Sequence, residues 1–364
     1  MKTAEDMLYK TAERALSKTA EGALSKMAER ALNKVADGVL YKTAAFGAPL
    51  GESGRSLRDP GTSAAQHRKR PAVGFLVAVR IGFLLAKLLP AGFFIKGAAL
   101  CGRLAGRISP ARSAVAGNLR LIASAARRPG PRGAVKATQK RFEPADVFAS
   151  YGRYWGELLA VAAHPELCSR LDIRVEGEEC LRTSVAQGSV CLLTGHLGNW
   201  DLAAWWAATR LPGLAVVAEP LEPPALFRFF SRLRERWGCR VLSAEGMGLR
   251  LFRHLRGGGH VAMVVDRPFG SGCRQAPFLG RPRQFPSAGM DLARRAGARL
   301  VPGFLVREGA GYIIRIYPPL CGNDDPASAF ARVLEREIQQ QPEQWCVLSP
   351  IHEPEGSSMR GETR

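Results

Sequence analysis

A histidine and an aspartate stand five positions apart in the stretch GHLGNWD, as His196 and Asp201. A histidine can take a proton from a hydroxyl near neutral pH. A carboxylate on its other ring nitrogen orients the ring and stabilises the imidazolium that forms. On one continuous helix, residues five apart face different ways. The flanking sequence offers a way around this: SVCLLTG before the pair reads as a buried strand, and DLAAWW after it reads as a helix. With His196 in the turn and Asp201 in the first helical turn, the chain doubles back and the two can meet. Gly195 and Gly198 permit a tight turn, and Asn199 suits the helix N-cap. The helix start aims backbone N–H groups at a developing oxyanion. No Ser, Cys or Thr nucleophile is set beside the pair, so these residues favour direct attack by an acceptor hydroxyl. Outside this context, His196 reads as no more than a strand-end histidine.

The elements that must position the pair follow from periodicity. From 171 onward, short apolar runs alternate with helical stretches. The runs are IRVEG, SVCLLTG, LAVVAE, CRVLS, HVAMVVD, LVPGFLV and YIIRIYP. Helices are expected over 200–210, 223–237, 246–256 and 287–297, with a last one near 326–340 leading to PEQW. This alternation predicts an α/β fold, a mostly parallel central sheet flanked by helices. Ligands in such sheets gather beyond the carboxyl ends of the strands, where GHLGNWD falls. Asp266 and Arg267 end another strand, HVAMVVD, and can line the same crevice or form a structural ion pair.

The segment before the sheet has a different character. Residues 51–142 carry 18 Lys and Arg against two Asp and Glu, within a chain of net charge +20. Such a field attracts a polyanion, either anionic lipid or nucleic acid. The run AVGFLVAVRIGFLLAKLLPAGFFIKGAALCGRLAGRI is dense in apolar residues, but Arg80, Lys87 and Lys96 interrupt it and Pro90 breaks it. A spanning helix wants about 20 consecutive apolar residues. Two broken helices lying in a membrane interface fit better, their cations snorkelling to headgroups. Residues 2–44 form an octad repeat with Leu at 8, 16, 24, 32 and 40. An eight-residue step turns the Leu row around the helix, so it makes no continuous seam. The expected organisation is an octad arm (1–45), a basic linker (46–72), membrane-interface helices (73–142), an α/β domain (143–352) and a loose tail (353–364). The eight cysteines form no CxxC pair and no zinc spacing. Cys191 and Cys346 lie in apolar runs and are expected to be buried.

GHLGNWD closely resembles the H-x4-D/E block of the lysophospholipid acyltransferase superfamily. The nearest branch looks like the lipid A biosynthesis and phosphatidylinositol mannoside acyltransferases. The resemblance spans roughly 73–351 and includes, in order, SYGRYWGELL, VVAEPLEPPALFRFFSRLRERWG, VAMVVDRPF, FLGRPRQFPSAGMDLARRAGARLVP and PEQW. Several blocks in order are far more specific than one. The resemblance implies that His196 is the base for the acceptor hydroxyl and Asp201 its orienting acid. It also implies substrate-binding positions at Glu219, Arg234, Asp266 and Arg267, beside Gly195 and Asn199. Glu219 and Arg234 match the mannoside branch; the lipid A branch tends to have Arg where Glu219 stands. Read without the resemblance, Arg234 is a solvated helix residue and Glu219 a strand cap.

The implied reaction is transfer of a fatty acyl group from a thioester, acyl-CoA or acyl carrier protein, to a hydroxyl of a glycolipid or lysolipid. No metal or cofactor is expected. The expected partner is an anionic membrane surface, on the cytoplasmic face of a bacterial inner membrane, and not nucleic acid. No GxSxG, P-loop or GxGxxG is present, so serine hydrolases, NTPases and dinucleotide enzymes have no anchor here. The alternative is a basic membrane- or nucleic-acid-binding protein of the same fold without catalysis. Against a nucleic-acid face stand the apolar runs threaded through the basic segment.

Overall fold

The computed structural model of the protein describes residues 63–127, 141–221, 223–269, 272–320 and 325–351. The octad arm, most of the linker and the tail lie outside the described residues. The chain divides into two compact units, one ending at Ile81 and one starting at Gly82. What is described of the first is a helical stretch, part of α1 (Ser63–Leu88), in which Val79 is buried and Val77 and Ile81 are exposed.

The second unit opens with the end of α1, followed by α2 (Ala91–Ile108), α3 (Arg112–Ala126) and α4 (Pro144–Ala163). Pro90 breaks the apolar run as expected. The α1 backbone ladder closes with Leu89 N–H donating to Leu85, and Pro90 takes an extended conformation before α2. Glu143 and Asp146 form a capping box on α4, with Pro144 at its first position. One face of α2 lies tight on α4: a Cβ at Gly102 would collide with the Phe148 carbonyl, and one at Gly152 with that of Ala98. Its other face leaves Phe93, Leu100, Leu104 and Ile108 exposed. Among the described residues no helix is long and apolar enough to cross a membrane.

A seven-stranded sheet follows. Its strands are β1 (Ile173–Glu176), β2 (Val190–Thr194), β3 (Ala215–Ala218), β4 (Arg240–Ser243), β5 (Val261–Val264), β8 (Arg299–Glu308) and β9 (Gly311–Ile316), in the order β1-β9-β8-β2-β5-β3-β4. β8, β2, β5, β3 and β4 run parallel, while β9 returns antiparallel to β8 and carries β1 with it. The reversal follows from the connection: only two residues separate β8 from β9, too few for a parallel crossover.

Alternation along the strands feeds two cores, one on each face. Cys191, Leu193 and Met263 point to the face covered by α8 (Gly248–Arg256), α9 (Ala288–Arg295) and α10 (Pro326–Gln340). Val190, Val216 and Leu305 point to the face covered by α5 (Glu178–Ala186) and α6 (Trp200–Ala208). α7 (Pro224–Arg236) links β3 to β4. Cys191 and Cys346 are both buried. A separate hairpin escapes the sequence pattern: β6 (Cys273–Phe278) pairs with β7 (Arg281–Pro286), turning at Leu279 and Gly280, both at positive φ. Its prolines and arginines hide the alternation that marks a strand.

Candidate active site

β2 and β5 are parallel neighbours paired Thr194 to Val264. Two residues further along each strand stand His196 and Asp266, so the register itself brings them together. His196 Nδ1 lies 2.6 Å from Asp266 Oδ1, and the His196 backbone N–H donates to Oδ2 at 2.8 Å. The Trp345 indole N–H donates to the same Oδ2 at 2.9 Å. Asp266 is fully buried. Burial alone would raise its pKa, but the His196 charge and the three hydrogen bonds outweigh it and hold the carboxyl well below the usual carboxylate range. A carboxylate so held only accepts. In the neutral ring the proton therefore sits on Nδ1, and Nε2 carries the lone pair. The His196 side chain is 22% exposed, so that nitrogen belongs to a ring that solvent can reach.

The turn is fixed from several sides. Gly195 allows the close approach: a Cβ there would stand 3.1 Å from Asp266 Oδ2. Gly198 has φ +65°, and a Cβ would collide with the Leu305 carbonyl. Its N–H donates to the Gln344 carbonyl at 2.9 Å, and Cys346 N–H donates to the His196 carbonyl at 2.7 Å. Asn199 caps α6, its Oδ1 accepting from Leu202 N–H at 3.0 Å. The backbone N–H groups of His196, Gly198, Asn199 and Leu202 are thus all engaged within the protein.

Asp201 does not hold the histidine ring. Its Oδ2 accepts from the Tyr154 hydroxyl at 2.6 Å and its Oδ1 from Arg234 Nε at 2.8 Å. The sequence reading required Asp201 to double back onto His196. The register instead delivers Asp266 to the ring, and α4 and α7 occupy Asp201. Trp200 packs on both groups, in an edge-to-face contact with the His196 ring at 5.0 Å and stacked on Tyr154 at 4.1 Å. Burial pushes the Tyr154 phenol well above its ordinary range, and Asp201 pushes it further, so it stays a donor. Arg234 is likewise no solvated helix residue: its side chain is 11% exposed and committed to Asp201.

Glu219, just past β3, pairs with Arg267, just past β5, at 3.1 Å. Both are partly exposed. Four contributors escaped the sequence reading. Trp345 lies in PEQW and holds Asp266 in place. Arg283, from β7, is buried among Phe278, Phe285 and Trp345 and donates to the Asp266 carbonyl at 2.7 Å. Burial lowers its pKa, which Asp266 resists, to about 10. Tyr154 and Glu157, both in SYGRYWGELL, support the first turn of α6. Their one signal in the sequence is that all four lie in the stretches that carry the family resemblance. Beside the site an apolar cavity of about 70 Å³ runs along the sheet, between Leu192, Val216, Ala262 and Phe304, with Thr194 and Asp201 also lining it. Among the described residues no group of His, Cys, Asp or Glu is arranged to hold a metal.

Known proteins are similar to this chain in sequence. A family model described as bacterial lipid A biosynthesis acyltransferase matches residues 63–351. The phosphatidylinositol mannoside acyltransferase of Mycobacterium tuberculosis, in strains CDC 1551 and H37Rv, is 33% identical over 213 residues, 55% of this chain and 67% of that protein. The Mycolicibacterium smegmatis protein of that name is 30% identical over 226 residues, 57% of this chain and 74% of its own length. With a seven-stranded α/β frame, a histidine–aspartate pair at its strand ends and a match over most of its length, this chain belongs to the bacterial lipid A biosynthesis acyltransferase family and is an acyltransferase.

Proposed function

We propose that this enzyme transfers a fatty acyl group from a thioester donor to a hydroxyl of a glycosylated phospholipid, with His196 as general base and Asp266 as the carboxylate that orients it. The observation carrying this reading is the 2.6 Å contact of His196 Nδ1 with the buried Asp266, which leaves Nε2 as the basic atom. The acceptor hydroxyl gives its proton to Nε2 as its oxygen attacks the thioester carbonyl. The tetrahedral adduct collapses, the carbon–sulfur bond breaks, and the leaving thiolate recovers the proton from the imidazolium. Asp266 stabilises that imidazolium between the two transfers. The similarity to phosphatidylinositol mannoside acyltransferases favours a mannosylated phospholipid over other glycolipids as acceptor.

Other parts of the site fit the same reaction. The apolar cavity, at about 70 Å³, takes only the first few methylenes of an acyl chain, with Asp201 and Arg234 lining it and Tyr154 fixing Asp201. Arg267 is suited to an anionic headgroup and Glu219 to a sugar hydroxyl, exchanging their mutual contact for substrate. The enzyme works at a membrane surface: the basic segment draws it to anionic lipid, and the apolar face of α2 enters the interface.

The test is His196→Ala, with lipids profiled by mass spectrometry in cells carrying either form and transfer assayed in vitro. Transfer should fall by about 10²–10⁴-fold while circular dichroism and vesicle binding stay unchanged. Transfer that persists in the variant would sink the mechanism.

A further inference from the structure

We propose that Glu157, on α4, is a positioning residue for this reaction: it sets the start of α6, and through it the turn that carries His196. The inference rests on the function proposed above, and concerns a side chain that touches neither substrate nor the histidine ring.

Glu157 is 5% exposed. Its Oε2 accepts from the side-chain amide of Asn199 at 2.9 Å. Its Oε1 accepts from Arg153 Nε at 2.9 Å and from the Tyr312 hydroxyl, on β9, at 2.6 Å. Three donors from three parts of the fold therefore converge on one carboxylate. Asn199 is the residue most constrained by this. Its Oδ1 caps α6, its backbone N–H donates to Leu305, and its side-chain amide has Glu157 as acceptor.

The helical repeat makes this a two-point clamp. Tyr154 and Glu157 are three apart on α4 and so share a face. Tyr154 takes Asp201 and Glu157 takes Asn199, the cap and an early residue of the same helix start. That turn also carries Trp200, which lies against the His196 ring. A shift of the turn moves the base, and misplacement of a catalytic group by about 1 Å can cost 10²-fold in rate.

The hydrogen-bond pattern yields a sharp test. In Glu157→Gln the amide oxygen can still serve Arg153 and Tyr312, which leaves its NH2 facing the NH2 of Asn199. Either that contact is lost, or Asn199 rotates its amide and gives up the α6 cap. Asn199→Asp alone sets two carboxylates against each other. The double variant Glu157→Gln with Asn199→Asp restores complementarity. The new amide on α4 donates to one oxygen of the new carboxylate, while the other oxygen caps Leu202. Asp is as good an N-cap as Asn.

The full-length protein is assayed with palmitoyl-CoA and a phosphatidylinositol mannoside, and amide hydrogen exchange is followed over residues 196–203. Glu157→Gln should lower kcat at least about tenfold with little change in KM, and speed exchange in this stretch. The double variant should recover kcat to within about threefold of the parent and restore slow exchange. Glu157→Gln with a lower melting temperature but the parent's kcat would make Glu157 a purely structural residue and overturn the proposal. So would a double variant no better than the singles. Should the parent transfer nothing between these two substrates, the proposed donor or acceptor fails, and exchange alone decides: unaltered protection in Glu157→Gln then overturns the positioning role.

Discussion

The two acids near the histidine do different work, and substitutions should separate them. In Asp266→Asn, the Oδ2 position keeps two donors aimed at it, from His196 N–H and Trp345. The new amide NH2 must then face Nδ1. That forces the ring proton onto Nε2 and removes the base, so transfer should fall about 10²–10⁴-fold in a protein that still folds near neutral pH. Asp201→Asn acts elsewhere. It leaves the largely buried Arg234 without its carboxylate, which costs about 3–5 kcal/mol. Thermal unfolding should register it strongly, while turnover measured well below the transition should fall less than in Asp266→Asn. Asp266 also predicts acid behaviour. A carboxyl whose folded pKa is depressed adds stability that is fully present above its unfolded pKa, about 3.9 for Asp. That stability is lost as pH falls from there toward the folded value. The parent should therefore lose stability below about pH 4, and denaturant titrations of Asp266→Asn should lack this part of the slope.

At the scale of elements, the turn between β2 and α6 is held by backbone contacts on several sides. Gly198→Ala combines a positive φ with a collision against Leu305, and should cost about 3 kcal/mol, the upper end for strained backbone. Gly213→Ala, at φ +72° with open space around it, should cost only about 1–2 kcal/mol. Equilibrium unfolding of both variants checks the difference. This turn also marks how far sequence reaches. Its strand, glycines and helix were legible from apolar runs and turn residues, because those preferences are local. The partner of His196 was not, since nothing in VAMVVD states that β5 lies beside β2. Once that adjacency is known, Thr194 opposite Val264 gives Asp266 without further assumption. Trp345 and Arg283 were hidden for the same reason: they reach the site only through tertiary packing. The β6–β7 hairpin was missed locally, its prolines reading as loop.

At the scale of the whole molecule, α2 exposes apolar side chains while Asp266 and Asp201 are buried. If α2 enters lipid, Leu100→Glu with Ile108→Glu should reduce binding to anionic vesicles at least about tenfold, since each exposed side chain is worth about 1.5–3 kcal/mol on burial. Melting temperature should hold, as neither residue packs in the core. Binding that survives the double change would place the lipid contact elsewhere.

Trp345 and Cys346 reach back to Asp266 and His196. A ribosome adding about 5–20 residues per second therefore needs roughly 8–30 s between adding His196 and adding Trp345 and Cys346. For roughly the first half of that interval Asp266 is missing as well, and for most of it the sheet still lacks β8 and β9. The last contacts on the His196–Asp266 pair thus come from a stretch made after all seven strands of the sheet, so that a chain stalled before Trp345 should transfer no acyl group.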